Sequence, residues 1–224
     1  GNEYTAFGGA IHSLCENAVV GKIEQDEYQD YFQTAFRQEL KKIQVTKPEL
    51  VMEMITQADN LSPEIIPAVE QYFGDFKVIS VEERLYEHID EFVFEDIKFK
   101  GFIDLVLQTE DGKYHIIDWK SCSWGWDAKK RSDKLITYQL TLYKKFFCEK
   151  HNIDPQIVET HFALLKRTAK KDNVEIFRVT SGSKKTENAT SLLTRALTHI
   201  SKQNNIKNRL SCKGCEFYKT DNCP

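Results

Sequence analysis

Phe99-Lys100-Gly101-Phe102-Ile103-Asp104-Leu105-Val106-Leu107, then Gln108-Thr109-Glu110-Asp111-Gly112, then Lys113-Tyr114-His115-Ile116-Ile117-Asp118-Trp119-Lys120 is the stretch whose reading decides the fold. Two runs rich in β-branched and aromatic residues flank a glycine-containing turn, which is the pattern of a β-hairpin. Side chains alternate along a strand, so Asp118 and Lys120 project to one face while Ile117 and Trp119 project to the other. The turn decides where Asp104 points. A two-residue Asp111-Gly112 turn would oppose Asp104 to Trp119, on the wrong face. A three-residue Glu110-Asp111-Gly112 loop, with Gly112 in the left-handed conformation, opposes it to Asp118. The three-residue loop is the expected one.

On the N-terminal side, apolar residues at 11, 14, 15, 18 and 19 form the stripe of an amphipathic helix bordered by His12. An acidic helix is expected from about 25 to 44. Thr46-Lys47-Pro48-Glu49 then offers an N-cap, an N1 proline and a capping-box glutamate, and Ser62-Pro63-Glu64 starts a further helix in the same way. Gly74 closes this helical section. Strand patterns follow over Phe76–Leu85, Phe92–Leu107 and Tyr114–Lys120. Ser132 or Asp133 caps a long helix through Gln139, Tyr143 and Phe146. Pro155 precedes strands near 157–165 and 174–180, and a last helix covers about 186–203. The expected class is α/β, a mixed central sheet flanked by helices with an N-terminal helical region. Residues 1–224 read as a single domain: helices over 1–75, a sheet core over 76–180, and a helix with a cysteine tail over 181–224.

The chain has 224 residues and a net charge of −3, but residues 1–118 carry −14 and residues 119–224 carry +11. The basic half suggests a polyanionic partner, held by counterion release. No apolar run reaches a membrane span and no signal-peptide pattern opens the chain, so an intracellular, cytoplasmic protein without a membrane partner is expected. Of six cysteines, Cys212, Cys215 and Cys223 crowd the last thirteen residues. That spacing suits a metal or cluster better than a secreted disulfide framework.

Phosphodiester hydrolysis requires a divalent cation that neutralises transition-state charge and lowers the pKa of an attacking water, and hard oxygen ligands suit Mg2+ or Mn2+. Asp104 and Asp118 supply such oxygens. Lys120, on the same face, is placed to orient or deprotonate the water and to balance developing charge. Singly, each of the three would read as an ordinary strand-edge residue. Together, inside apolar strands, they read as a metal-dependent hydrolytic centre.

These residues resemble the motifs of the PD-(D/E)XK nuclease superfamily, and specifically its RecB-like branch, which includes the RecB and AddB nuclease domains, CRISPR-adaptation exonucleases and phage exonucleases. Phe7-Gly-Gly-Ala-Ile-His12 with Glu16 looks like the branch's glycine–histidine motif. Gly101-Phe-Ile-Asp104 looks like its second motif, Ile117-Asp118-Trp-Lys120 like its third, and Gln139-Leu-Thr-Leu-Tyr143 like its QxxxY helix. The resemblance spans most of the chain. It implies a restriction-endonuclease-like fold and a metal held by His12, Asp104, Asp118 and the Trp119 carbonyl, with Lys120 as the catalytic lysine. The implied activity is Mg2+- or Mn2+-dependent DNA hydrolysis, exonucleolytic on single strands or frayed ends, in recombination, repair, or phage or CRISPR DNA processing. A structure-specific endonuclease is the alternative, as is a DNA-binding subunit of a recombination or CRISPR-adaptation complex whose nuclease centre is dormant.

Around this centre, Gln139 and Tyr143 share a helical face and could touch the nucleic-acid strand or brace the site. Glu16 could hydrogen-bond His12 or stand exposed. Of Glu82 and Glu83, which face opposite ways, Glu83 is expected at the site. Trp124-Gly-Trp126-Asp-Ala-Lys129-Lys130-Arg131 places aromatics beside a basic triplet, suited either to stacking bases and holding phosphates or to pinning a loop. The cysteine tail resembles the triplet that holds a [4Fe-4S] cluster in several RecB-like nucleases. It departs from that pattern in its seven-residue second gap and in the lack of a cysteine before His12. Cys15 is the nearest substitute for that cysteine but, sitting in the apolar stripe, reads more simply as a buried core thiol; structural zinc is the other reading, with Cys122, Cys148 or His199 as candidate fourth ligands.

Overall fold

The computed structural model describes residues 1–90, 92, 97–204, 209–221 and 223. Among the described residues seven α-helices and five strands follow one another as α1 (Glu3–Val19), α2 (Tyr28–Leu40), α3 (Pro48–Leu61), α4 (Ile65–Phe73), β1 (Phe76–His88), β2 (Lys98–Thr109), β3 (Tyr114–Cys122), α5 (Ala128–Arg131), α6 (Lys134–His151), β4 (Val158–Lys166), β5 (Val174–Val179) and α7 (Ser183–Ser201). The strand expected from Phe92 begins, as described, at Lys98; residues 91 and 93–96 lie outside the described set. Among the described residues no helix is long and apolar enough to cross a membrane.

The strands form one sheet in the order β1-β2-β3-β4-β5, antiparallel except for the parallel β3–β4 pair. A parallel pair needs a long crossover, and α6 supplies it. Each face of the sheet has its own core. On one, Phe7, Ile11 and Leu14 of α1 join Phe32, Phe36, Met54 and Leu61 over Leu105, Leu107, Ile117 and Trp119. On the other, Leu140, Phe146 and Phe147 of α6 cover Val106, Ile116, Phe162 and Leu164. This is the mixed, helix-flanked sheet that the sequence pattern demands, because strands covered on both faces must be apolar on both.

The α3 cap differs from expectation. Thr46 does not cap the helix with its side chain; instead Glu3, from the first turn of α1, accepts the backbone N–H groups of Thr46 at 2.6 Å and Lys47 at 2.8 Å. Those donors precede the helix, so the bonds fasten the entry to α3 and do not cap it, and the Thr46 hydroxyl itself donates to Glu3 Oε1 at 3.1 Å. Backbone donation from Glu3 itself, Thr46 and Lys47 holds the Glu3 carboxyl down at about 2. The bond ties α1 to α3 across forty residues of chain.

The β1–β2 ribbon breaks its own alternation midway. Ile103 packs on the α6 side and Leu105 on the α1 side, although two residues apart on a regular strand share a face. On β1, Val81 and Leu85 divide in the same way, the register shifts between Val78 and Ser80, and Glu82 takes φ +50°. The kink falls at Glu82 and Asp104, which stand opposite each other in the β1–β2 register.

Candidate active site

The hairpin closes with the three-residue loop. Gly112 N–H donates to Thr109 O at 2.9 Å, Thr109 N–H to Lys113 O at 3.0 Å, and Gly112 sits at φ +81°, where a side chain would be strained. The ladder runs Gln108↔Tyr114, Leu107↔His115, Val106↔Ile116 and Leu105↔Ile117, and the next position opposes Asp104 to Asp118. There the backbone ladder stops. Trp119 N–H, which a continued ladder would give to a β2 carbonyl, donates instead to Asp104 Oδ2 at 2.7 Å. One carboxylate is thereby fixed beside another.

Lys120 Nζ lies 2.6 Å from Asp118 Oδ2, and the same ammonium donates to Gln139 Oε1 at 3.1 Å. Gln139 Nε2 in turn donates to Tyr143 OH at 3.1 Å. The i, i+4 spacing on α6 makes that chain possible, since one helical face presents both side chains to the end of β3. Gly101 makes room for it: a Cβ there would stand 2.7 Å from Tyr143 Cε1. From the other side, α1 brings His12 Nδ1 to 3.8 Å from Asp104 Oδ2.

Burial raises the Asp104 carboxyl to about 6, a shift opposed by the Trp119 N–H and the Lys120 charge and reinforced by Glu82. Burial also lifts Asp118 to about 6, assisted by the Asp104 charge and opposed by Lys120 and His12. Glu16 is pushed up to about 8 by burial, by the charge of Glu82 and by its hydrogen bond with Glu82. Burial lowers His12, which leaves a neutral imidazole able to ligate. Carboxyls crowded in a half-dry pocket are at odds with one another until a cation joins them. Two carboxylates and an imidazole fit Mg2+ or Mn2+ in kind. Lys120 now sits against Asp118, so closure of His12, Asp104 and Asp118 on one ion requires that contact to loosen.

Of the other expected residues, Glu83 does not reach the site. It is engaged by Lys150 Nζ at 2.5 Å and by His151 Nε2 at 2.9 Å. Glu82 takes its place, because the kink turns that position toward Glu16 and Asp104. The tryptophan loop divides between its two readings. Trp126 is buried against Phe162 and Phe177 with Lys130 Nζ 4.7 Å over its ring, whereas Trp124 is 66% exposed and Lys129 and Lys130 are exposed. Arg131 braces the loop: it donates to Trp126 O at 2.8 Å and Glu175 Oε1 at 2.6 Å, and covers the Phe177 ring. Cys15 is fully buried on the inner face of α1, Cys212 lies in a single 3-10 helix (Arg209–Gly214), and Cys215 and Cys223 follow it. Among the described residues these cysteines form no group of three converging ligand atoms. A set that does converge, His115, Glu159 and His161, was silent in the helix and strand periodicities; the only hint is the two-residue spacing of Glu159 and His161.

The sequence model of the PD-(D/E)XK nuclease superfamily matches residues 2–220, and the chain belongs to that superfamily. Its mixed, helix-flanked sheet is the restriction-endonuclease-like fold. No curated protein sequence matches it. Among solved structures, it is similar to a "Putative exonuclease" from Eubacterium rectale at 14% identity, with a TM-score of 0.49, over 85% of this chain and 74% of that one. It is also similar to SSO0001 at 16% identity, with a TM-score of 0.41, over 93% of this chain and 82% of that one. Likenesses this distant carry no argument about substrate.

Proposed function

We propose that residues 1–224 form one nuclease domain of the RecB-like branch, which hydrolyses DNA phosphodiesters with Mg2+ or Mn2+ at single-stranded or frayed ends. The observation that carries this reading is the Trp119–Asp104 hydrogen bond, which seats two carboxylates side by side next to a lysine held by Gln139 and Tyr143. His12, Asp104, Asp118 and the Trp119 carbonyl would hold the cation. Bound there, it would neutralise charge on the scissile phosphate and lower the pKa of a water.

The protein's own groups do the rest. Asp104 and Asp118 fix where the phosphate can sit by fixing the cation's place. Lys120, anchored through Gln139, keeps its ammonium beside the carboxylates, where it can hold the attacking water and offset charge as the phosphate becomes more negative. Neutral His12 adds a nitrogen ligand without adding charge to the crowded carboxyls. Exposed Trp124 offers a ring on which an unpaired base could stack, and exposed Lys129 and Lys130 in the same segment offer charge for phosphates. That feature favours single-stranded substrate over an intact duplex.

The test compares the wild type with Asp118→Ala and Lys120→Ala on end-labelled linear and circular DNA, single- and double-stranded, with either metal. Expected is loss of roughly 10²-fold or more in both variants. Undiminished cutting by either overturns the mechanism, and cutting of circles replaces the exonuclease with an endonuclease.

A further inference from the structure

The convergence of His115, Glu159 and His161 lies on the opposite face of the sheet from Asp118 and Lys120. His115 and Glu159 are register partners on the parallel β3–β4 pair, and His161 follows two residues on. All three side chains therefore point toward the end of α4, where Tyr72 and Phe73 pack edge-on against the His161 ring. His115 and His161 are buried and Glu159 is half-buried.

We propose that these three residues bind a single Zn2+-class transition-metal ion, separate from the nuclease centre. His115 Nδ1 and His161 Nε2 stand 3.1 Å apart, and Glu159 Oε2 is 3.9 Å from each. Two nitrogens on a tetrahedral zinc are about 3.3 Å apart, given Zn–N bonds of about 2.0–2.1 Å. The imidazoles already have that span, and the carboxylate must move in by only a few tenths of an ångström.

Thr109 sets the tautomer. Its hydroxyl donates to Asp111 Oδ1 at 2.5 Å, which leaves the Thr109 oxygen to accept from His115 Nε2–H at 3.0 Å. The lone pair of His115 is thus on Nδ1, the nitrogen that faces the other two ligands. Arg178 holds Glu159 Oε1 at 3.3 Å, leaving Oε2 toward the imidazoles. Burial keeps both rings neutral, the form that ligates. A cavity of about 500 Å³, also lined by Asp75 and Asp111, opens on the group and gives water access to a fourth position. Two imidazoles and one carboxylate select zinc-like ions over Mg2+. The ion would tie β3 to β4 and leave the Asp104–Asp118 side untouched.

The test uses the full chain carrying Asp118→Asn, Cys212→Ser, Cys215→Ser and Cys223→Ser, so that neither the nuclease centre nor the tail binds metal. Co2+ is the probe in absorption spectroscopy, and Zn2+ in equilibrium dialysis and thermal melts. Expected are one equivalent of metal, the visible bands of tetrahedral Co2+, and a Tm rise of roughly 5–10 °C at a hundredfold excess of Zn2+ over its Kd. Glu159→Gln and His161→Asn should each weaken binding by more than roughly tenfold. If His161→Asn misfolds, the near-isosteric Glu159→Gln decides. No stoichiometric metal, or binding unchanged in Glu159→Gln combined with His115→Gln, overturns the proposal and leaves a plain Nε2–H···Nδ1 hydrogen bond between the rings. Because the background lacks Asp118, this outcome is independent of the nuclease reading.

Discussion

Asp104 Oδ2 accepts the Trp119 backbone N–H at 2.7 Å, at the place where the β2–β3 ladder would otherwise continue. The same carboxylate is therefore a structural acceptor and a candidate metal ligand, and substitutions can separate the two. Asp104→Ala leaves a buried N–H unpaired and should cost about 1–3 kcal/mol in urea unfolding. Asp104→Asn keeps an acceptor oxygen and should recover most of that stability, while cleavage is lost in both. If the alanine variant is as stable as the asparagine variant, the bond does not hold the site.

Asp118 should behave in the opposite sense. Its carboxyl is raised by burial and by Asp104, so its ionised form is disfavoured in the folded protein without metal. Asp118→Asn should then stabilise the metal-free protein by about 1–3 kcal/mol while abolishing metal-dependent cutting. A less stable variant in EDTA would show that Lys120 already compensates the charge.

The Lys120–Gln139–Tyr143 chain predicts graded losses. Gln139→Ala releases the ammonium and should lower kcat by roughly 10–100-fold, in line with other positioning partners of a reacting group. Tyr143→Phe removes only the outer hydroxyl and should cost less. A fall in kcat with KM and Tm unchanged discriminates this from a packing defect, which would lower Tm as well.

Gly101→Ala tests the same chain from the other side. The added Cβ meets Tyr143 at 2.7 Å, so the ring must move or the strand must shift. A loss of about 1–3 kcal/mol is expected from overpacking. Partial rescue by Tyr143→Leu, measured as recovered Tm, would identify the ring as the obstacle.

The raised carboxyls should make metal-free stability fall above neutral pH. Glu16 is raised to about 8, and Asp104 and Asp118 to about 6, so these three groups hold more protons in the folded chain than in the unfolded one, whereas His12, His115 and His161, lowered by burial, act in the opposite sense below about pH 6.5. Stability from the three carboxyls is full below their unfolded values and is lost on the way up. Glu3 runs the other way: held at about 2, its contribution is present above the unfolded value and lost as pH falls from about 4 toward 2. Thermal melts in EDTA should show a decline from pH 7 to 8.5, above the range in which the histidines act, that Glu16→Gln flattens. A flat profile over that range would contradict the raised Glu16 carboxyl.

The elements were legible because periodicity and caps speak locally. The stripe at Ile11, Leu14, Cys15 and Ala18 is buried as its spacing requires, and Asp133 caps α6 through Leu135 N–H. The entry to α3 is not legible locally because Glu3 fastens it from another helix, a donor–acceptor match that no local window contains. Regular alternation points Glu83 at the site, but the strand bends at Glu82 and brings that residue there instead. Trp126 and Arg131 sit in one short segment with Trp124 and Lys129, and only packing against Phe162, Phe177 and Glu175 divides brace from exposed surface.

By itself, the sequence determined the hairpin loop, the facing of Asp118 and Lys120, the paired placement of Gln139 and Tyr143, and membership of a nuclease superfamily. These depend on residue spacing and turn chemistry, which are properties of neighbouring residues. Only the tertiary structure decided that the ladder opens between Asp104 and Trp119, that Gln139 grips Lys120, that Glu82 joins Glu16, and that His115 meets Glu159 and His161. Those contacts join residues from separate strands and helices. Their geometry follows from strand twist, a kink and helix docking, none of which is encoded at a single position.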